Sequence, residues 1–125
     1  MSLTDEQIER YSRQIILPQV GGIGQEKIMA GRVLLVGTGG LGSPIALYLA
    51  AAGVGTIGLI DNDSVETNNL QRQIVHSTDT VGVKKVESAA RRLRALNPNV
   101  KVVEHNLRLN STNIMEIIKN YDIVV

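Results

Sequence analysis

The sequence predicts an α/β fold with a Rossmann-like, mostly parallel sheet that carries helices on both faces. Aliphatic segments of strand length alternate with helical patterns, and a glycine-rich segment follows the first strand. Aromatic residues make up only 2% of the 125 residues, so the core must be built from Val, Ile, Leu and Ala. Such a core suits parallel strands, which are buried on both faces. The alternation favours right-handed crossovers between them.

Residues 1–30 predict a helical segment that precedes the sheet. Thr4 and Gln7 form the pattern of a capping box, in which side chains and backbone satisfy each other at a helix start. Four apolar residues then recur at helical spacing and predict one buried stripe: Ile8, Tyr11, Ile15 and Ile16. Pro18 is expected to end this helix. The glycines within 21–24 indicate a turn before a further helical turn at 25–29.

Residues 31–125 predict an incomplete Rossmann-like domain with four strands. The strands are expected at four aliphatic segments: 32–36, 56–60, 101–104 and 122–125. The helices between them are expected at 43–52, from 82 or 83 to 96, and at 111–119. Because the sequence stops a few residues into its fourth strand, we expect a truncated domain whose last strand leaves an exposed edge.

Composition excludes several classes of protein. The 13 Lys and Arg residues nearly balance 12 Asp and Glu, which is not typical of a nucleic-acid binder or a polybasic membrane module. The absence of cysteine excludes disulfides, thiolate zinc sites and a cysteine nucleophile from this chain. The N-terminus lacks the layout of a secretory signal, and the apolar stretch at 45–54 is too short to span a bilayer. We therefore expect a cytoplasmic protein.

A glycine-rich loop joins the first strand to the helix that follows it. Four glycines of this loop are expected to lie against a nucleotide phosphate: Gly37, Gly39, Gly40 and Gly42. Glycines allow a tight turn and let backbone N–H groups approach the phosphate, to which the helix N-terminus adds a partial positive charge. A tight turn without a ligand is the alternative. The strand–loop–helix context favours nucleotide binding.

An acidic residue ends the second strand, about 20 residues after the glycines, as in dinucleotide-binding folds. The carboxylate of Asp61 can accept hydrogen bonds from ribose hydroxyls, which fits NAD, FAD and ATP alike. The alternative for Asp61 is a turn residue or a helix cap. Asp63 is a second candidate ligand, for which a plain turn role is an equal alternative.

The polar run at 61–73 helps to decide which of these three nucleotides is the ligand. After its ribose-binding acid, a dehydrogenase usually continues into an ordinary helix, whereas this run offers amide and guanidinium donors suited to a polyphosphate. The candidate ligands are consecutive: Asn68, Asn69, Leu70, Gln71 and Arg72. A solvated loop is the alternative, because loops are polar for many reasons.

Together these segments resemble the ThiF/MoeB/HesA family, relatives of the ubiquitin-activating enzymes. The resemblance runs from about residue 9 to the end of the chain. It rests on five motifs in the family's order, at 10–14, 37–42, 61–63, 68–73 and 81–87. It implies a homodimeric adenylyltransferase that uses ATP and Mg²⁺. The substrate would be the C-terminal glycine carboxylate of a ubiquitin-like sulfur carrier of the ThiS/MoaD type, and the products an acyl-adenylate and pyrophosphate.

The resemblance also implies roles for individual residues. Gly40 belongs to the phosphate loop and Asp61 to the ribose site, and four residues act on the reacting phosphates: Arg13, Asn69, Arg72 and Lys85. Arg13 would reach the ATP site of the partner subunit, which agrees with a place on the exposed face of its helix. Plain surface roles are the alternatives for Arg13 and Lys85, and Lys84 is the alternative phosphate ligand. No protein base is needed, because a carboxylate is already ionised near neutral pH.

In the family, the Mg²⁺-binding aspartate follows the fourth strand and the zinc site lies further on. The resemblance therefore implies that this chain holds no metal ligand, binds ATP weakly or not at all, and is inactive alone. His76 and His105 are expected to be structural or surface residues. Two other functions remain open, an NAD- or FAD-dependent oxidoreductase domain and a non-catalytic dimerisation subunit of the same family. The oxidoreductase function leaves Arg13, Asn69 and Arg72 without a role. The presence of these three residues together with Lys85 argues against a non-catalytic subunit.

Overall fold

A four-stranded parallel sheet lies at the centre of the computed structural model, which describes residues 2–125. The strands are β1 (Arg32–Val36), β2 (Thr56–Asp61), β3 (Lys101–Asn106) and β4 (Ile123–Val124), in the order β3-β2-β1-β4. The predicted Rossmann-like fold is confirmed. Because β2 and β3 add on one side of β1 and β4 on the other, the sheet has a switch point beside β1, where such folds bind their ligands.

Six α-helices are formed within residues 2–125: α1 (Asp5–Arg10), α2 (Ser12–Ile15), α3 (Gly21–Ala30), α4 (Gly42–Ala52), α5 (Lys85–Leu96) and α6 (Ile114–Ile118). None of these helices is long and apolar enough to cross a bilayer. The predicted boundary at residue 30 falls between α3 and β1. The division into two units stays a prediction, and Met1 lies outside the described residues.

The main core lies between one face of the sheet and helices α4 and α5. Alternate strand residues point into it and meet helix alanines: Val33, Leu35, Ile57, Leu59, Ala46, Ala50, Ala89 and Ala90. On the opposite face, the ring of Tyr121 covers Gly58 so closely that a Cβ there would lie 2.2 Å from the hydroxyl oxygen. This hydroxyl is also 2.8 Å from Nε2 of His105. The chain segment after α6 therefore covers the second face of the sheet.

Helix α1 begins with the predicted capping box. The N–H of Gln7 donates to Oγ1 of Thr4 over 3.2 Å, and the N–H of Thr4 donates to Oε1 of Gln7 over 2.9 Å. The prediction that a single helix follows this cap is wrong, because the helix is interrupted at Tyr11, which lies between α1 and α2. The predicted stripe is not buried as a unit, since Tyr11 is 1% exposed while Ile8 and Ile16 are 48% and 70% exposed.

Tyr11 anchors the N-terminal helices to the sheet domain. Its ring lies over Gly53, where a Cβ would come within 2.6 Å of the ring. Its hydroxyl accepts a hydrogen bond of 2.8 Å from Nδ2 of Asn97, which donates a second bond of 2.8 Å to the carbonyl oxygen of Ala50. Asn97 is completely buried, so this contact joins α1, α2 and the ends of α4 and α5 in one dry cluster.

The glycines at 21–24 begin helix α3, so the turn predicted there is wrong. Tertiary contacts override the low helix propensity of glycine. Gln25 is completely buried, and its Nε2 donates to the carbonyl oxygen of Ala52 over 3.0 Å. Nε2 of Gln14 donates to the same carbonyl over 3.1 Å and to Oε1 of Gln25 over 2.6 Å. These bonds hold α2 and α3 against the C-terminal end of α4.

The other boundaries differ from the prediction where distant segments pair. Helix α5 begins at Lys85 rather than at 82 or 83, because Val65 exchanges backbone hydrogen bonds of 2.8 Å with Gly82 and Val83. Strand β3 continues two residues beyond 104, since it pairs with β2 as far as Asn106. Helix α4 ends at Gly53, as predicted, where the backbone adopts a φ of +93°.

We expect the Asn97→Ala variant to lose more free energy of unfolding than Tyr11→Phe. The Phe variant removes one hydroxyl and leaves Asn97 bonded to Ala50, so the loss should be about 1 kcal/mol. The Ala variant deprives both the Tyr11 hydroxyl and the Ala50 carbonyl of their donor inside a dry cluster, and should cost about 2–3 kcal/mol. Urea unfolding followed by circular dichroism measures both values. Equal losses of unfolding free energy in the two variants would contradict the inference that Asn97 supplies both hydrogen bonds of this cluster.

Candidate functional site

The glycine loop lies at the carboxyl end of β1. Gly37 begins the loop with a φ of +97°, in the left-handed region that favours glycine. Its N–H donates to the carbonyl oxygen of Ile60 over 2.7 Å. Gly42 ends the loop at a close approach, since a Cβ there would lie 2.2 Å from the carbonyl oxygen of Gly37. The shape of the loop therefore depends on both glycines.

The loop presents a row of backbone N–H groups to solvent. Within residues 2–125, no hydrogen bond is donated by the backbone of four consecutive residues: Gly39, Gly40, Leu41 and Gly42. Gly40 and Leu41 are also exposed. Four free donors at the N-terminus of α4 form the kind of arrangement that binds phosphate.

Asp61 lies at the end of β2 and faces the loop. Its Oδ2 accepts hydrogen bonds of 3.0 Å from the N–H and the hydroxyl of Thr38, and its Oδ1 accepts one of 3.0 Å from the N–H of Asp63. Burial raises the pKa of Asp61, but these bonds and the charge of Lys85 outweigh burial and lower the pKa below its usual value. The carboxylate is therefore ionised at neutral pH. Its Oδ1 keeps a lone pair for a ligand hydroxyl.

A cavity of about 220 Å³ lies between the polar run and the start of α5. Five residues line it: Asp63, Ser64, Glu66, Asn69 and Lys85. Lys85 is 7% exposed, whereas Lys84 is exposed. Within residues 2–125, the ammonium group of Lys85 forms no salt bridge. A buried ammonium group that no carboxylate binds directly is suited to hold a bound anion.

Asn69 and Arg72 lie on the short turn that begins with the 3₁₀ helix Thr67–Asn69. Oδ1 of Asn69 accepts a hydrogen bond of 2.9 Å from the N–H of Glu66, and its Nδ2 donates to Oδ1 of Asn68 over 3.2 Å. Arg72 is exposed, and its Nη1 donates to the carbonyl oxygen of Asn68 over 3.1 Å. Its Cδ lies 4.0 Å from the position that a Cβ would take on Gly40. The structure thus brings Arg72 against the glycine loop.

The remaining predicted ligands lie at the edge of this cluster. Leu70 is half-buried, while Gln71 and Asp63 are exposed. The carbonyl oxygen of Asp63 accepts a hydrogen bond of 2.9 Å from the N–H of Lys85, so this aspartate also has a turn role. Arg13 is exposed on α2, and its side chain forms no hydrogen bond or salt bridge within residues 2–125. Its action in a partner subunit stays a prediction.

A second cavity is lined in part by residues that were not among the predicted ligands. It measures about 290 Å³ and lies at the carboxyl ends of the strands, lined by Val36, Gly37, Ile60, Asp61, Asn62, Leu107, Arg108 and Leu109. Residues 107–109 had no predicted role. Their position directly after β3 was the available signal, because the carboxyl ends of parallel strands meet at one edge of a sheet.

Comparisons with known proteins identify the family to which the chain is similar. The family model described as the ThiF family matches residues 11–125. Among curated proteins, the chain is similar to the sulfur carrier protein adenylyltransferase of Thermus thermophilus, with 50% identity over 125 residues. The match covers 100% of this chain and 46% of that relative. The chain spans about a quarter to just under half the length of the curated relatives it matches.

Two solved structures are similar over most of the chain. The E. coli tRNA N6-threonylcarbamoyladenosine dehydratase TcdA, in complex with AMP, matches with a TM-score of 0.91 and 31% identity, over 99% of this chain and 51% of that chain. E. coli MccB with ATP matches with a TM-score of 0.78 and 37% identity, over 86% of this chain and 34% of that chain. The family model covers nearly the whole sequence, and the fold agrees with both structures. The chain therefore belongs to the ThiF family.

Proposed function

We propose that this chain carries the ATP site of an enzyme that adenylates the C-terminal carboxylate of a ubiquitin-like sulfur-carrier protein. The observation that carries the proposal is the meeting of free loop amides, at residues 39–42, with Asp61, Arg72 and Lys85 at one edge of the sheet. The similarity to a sulfur carrier protein adenylyltransferase supports the reaction. The similarity to AMP-bound and ATP-bound structures supports the nucleotide.

In the proposed complex, ATP extends across both cavities. The adenine lies in the 290 Å³ cavity, where Val36, Leu107 and Leu109 offer apolar surface. The ribose hydroxyls donate to Asp61, which is ionised and keeps acceptor capacity. The phosphates lie along the loop amides and extend toward the 220 Å³ cavity that Lys85 lines. The chain thus offers an apolar surface, the Asp61 carboxylate, and then the loop amides and Lys85 along the path of the nucleotide.

The proposed reaction needs charge stabilisation rather than a protein nucleophile. A carboxylate oxygen of the carrier forms a bond to the α-phosphorus, the bond from that phosphorus to the bridging oxygen breaks, and pyrophosphate leaves with the electron pair. The attacking group is already ionised at neutral pH, so no base is required. Negative charge develops on the phosphoryl oxygens and the leaving group. In this proposal, the preorganised amides, Asn69, Arg72 and Lys85 stabilise this charge.

Mg²⁺ and a second subunit belong to the same proposal. Within residues 2–125, no group of three or more His, Cys, Asp or Glu side chains is arranged to hold a metal ion. Asp63 and Glu66 alone do not make a Mg²⁺ site, so we assign no step of the reaction to them. We propose that residues 2–125 bind ATP weakly or not at all and do not turn it over by themselves, so ATP affinities are measured on the complete protein. Exposed Arg13 would complete the ATP site of the other subunit in a homodimer.

The proposed function is tested by ATP–pyrophosphate exchange with the complete protein. We expect exchange only when a ubiquitin-like carrier ending in Gly-Gly is added, because the carboxylate must attack before pyrophosphate can leave. A carrier that lacks its last two residues is the matched control and should give none. Exchange without any carrier, or tight binding of NADH in place of ATP, would refute the proposal.

The two adjacent lysines provide a matched pair of variants. We expect Lys85→Gln to weaken ATP binding about ten- to a hundredfold, because a charge-assisted hydrogen bond contributes about 1.5–3 kcal/mol. Lys84→Gln should leave the affinity within about twofold, since Lys84 is exposed outside the cavity. Isothermal titration calorimetry gives both dissociation constants. A loss of the same size in both variants would show that the cavity does not select Lys85.

The arginine that lies against the loop allows a separate test. Arg72→Ala should reduce ATP affinity about tenfold or more, by removing a guanidinium from the phosphate path. Arg92→Ala is the control, because Arg92 is exposed on α5 and forms no salt bridge within residues 2–125. Titrations at low and high salt should show that Arg72→Ala weakens ATP binding by more than salt screening explains, whereas Arg92→Ala does not. An unchanged affinity for Arg72→Ala would remove this residue from the site.

A further inference from the structure

His76 lies behind the glycine loop and has no part in the proposed chemistry. The side chain is 5% exposed, and both ring nitrogens have partners. Nε2 lies 3.1 Å from the carbonyl oxygen of Thr38, and Nδ1 lies 2.7 Å from Oγ of Ser88 in α5. A carbonyl oxygen can only accept a hydrogen bond, so Nε2 must carry the proton. The ring therefore donates to the backbone of the loop.

The backbone N–H and the backbone carbonyl of Thr38 both form hydrogen bonds. Asp61 accepts its N–H and hydroxyl hydrogen bonds, while its carbonyl oxygen accepts from His76 and, over 3.4 Å, from Oγ of Ser43. The carbonyl of Thr38 and the N–H of Gly39 belong to one planar trans peptide group, in which they point in opposite directions. Because this carbonyl is held toward His76, the N–H of Gly39 must point away from His76. This N–H is the first of the free donors in the loop.

Two buried hydroxyls hold the ring in place. Oγ of Ser88 lies 2.9 Å from Oγ1 of Thr80, whose hydroxyl donates over 2.9 Å to the carbonyl oxygen of Ser77. Burial and the charge of Lys85 lower the pKa of His76, although the hydrogen bond with Thr38 and the charge of Asp61 act in the opposite direction. The ring is neutral at pH 7, and its Nδ1 lies against Oγ of Ser88.

We propose that His76 is a positioning residue for ATP, which holds the Thr38 carbonyl and thereby directs the N–H of Gly39 toward the phosphate chain. A buried histidine with two satisfied nitrogens often serves only packing. Here one of its two contacts ends on the peptide group that contains the first phosphate donor. This inference rests on the proposed function, because the phosphate comes from ATP.

Two variants separate the two contacts of the ring. The amide nitrogen of glutamine takes the place of Nε2, so His76→Gln can still donate to Thr38 while losing Ser88. The amide of asparagine takes the place of Nδ1, so His76→Asn keeps Ser88 and loses Thr38. We expect His76→Asn to weaken ATP binding about three- to tenfold, the range of one neutral hydrogen bond. His76→Gln should bind ATP within about twofold of the wild type.

Ser88→Ala is the control for a purely structural role. It removes the support of the ring from α5 and leaves the bond from His76 to Thr38, so it should lower the melting temperature without weakening ATP binding. This variant also keeps the test decisive if His76→Asn does not fold. ATP affinity that follows the melting temperature through all three variants would show that His76 only packs, and would overturn the inference.

The state of the loop is also measured without ATP, so that failure of the proposed function can be distinguished. Amide chemical shifts of residues 39–42, from ¹⁵N–¹H NMR spectra, should move in His76→Asn and stay close to the wild type in His76→Gln. Equal displacement in both variants would overturn the inference. If the wild type does not bind ATP while the shifts differ as expected, the proposed function fails and the control of the loop by His76 stands.

Discussion

The hydrogen bonds from Thr38 to the carboxylate of Asp61 are the contact on which the rest of the site depends. They join the loop after β1 to the end of β2, and the pairing of Val36 with Ile60 brings the two segments to the same height in the sheet. An ionised acceptor makes such bonds stronger than neutral ones. With Thr38 fixed, the next four backbone N–H groups are left at the open edge, beside Arg72.

The fold could be predicted where local patterns decide it. The strand before the glycine loop and the helix that ends at Gly53 follow from aliphatic runs and from a backbone angle that suits glycine. The break at Tyr11 could not, because it depends on Asn97, 86 residues away in the sequence. The start of α3 depends on bonds from Gln25 and Gln14 to Ala52, and local propensity argues against a helix there.

The site was predictable to the extent that single residues carry its chemistry. Asp61 and Arg72 were identified by residue type and position, and the structure places both beside the loop. The resemblance favours Lys85 with Lys84 as the alternative, and in the structure Lys85 is the buried one of the two. The contact of His76 with a backbone carbonyl leaves no pattern in the sequence. The 290 Å³ cavity is formed by three separate segments, so the only signal for residues 107–109 was their position directly after β3.

Helix α4 is held at both ends. Gly42 lies against Gly37 at its start, and its last carbonyl, that of Ala52, accepts hydrogen bonds from Gln14 and Gln25. Eleven residues span about 16 Å, so the N-terminal helices and the loop are fixed to opposite ends of one rigid element. The conformational entropy of the loop is then lost when the chain folds and not when a ligand arrives. A phosphate would meet donors that are already ordered, and more of its interaction energy would remain as affinity.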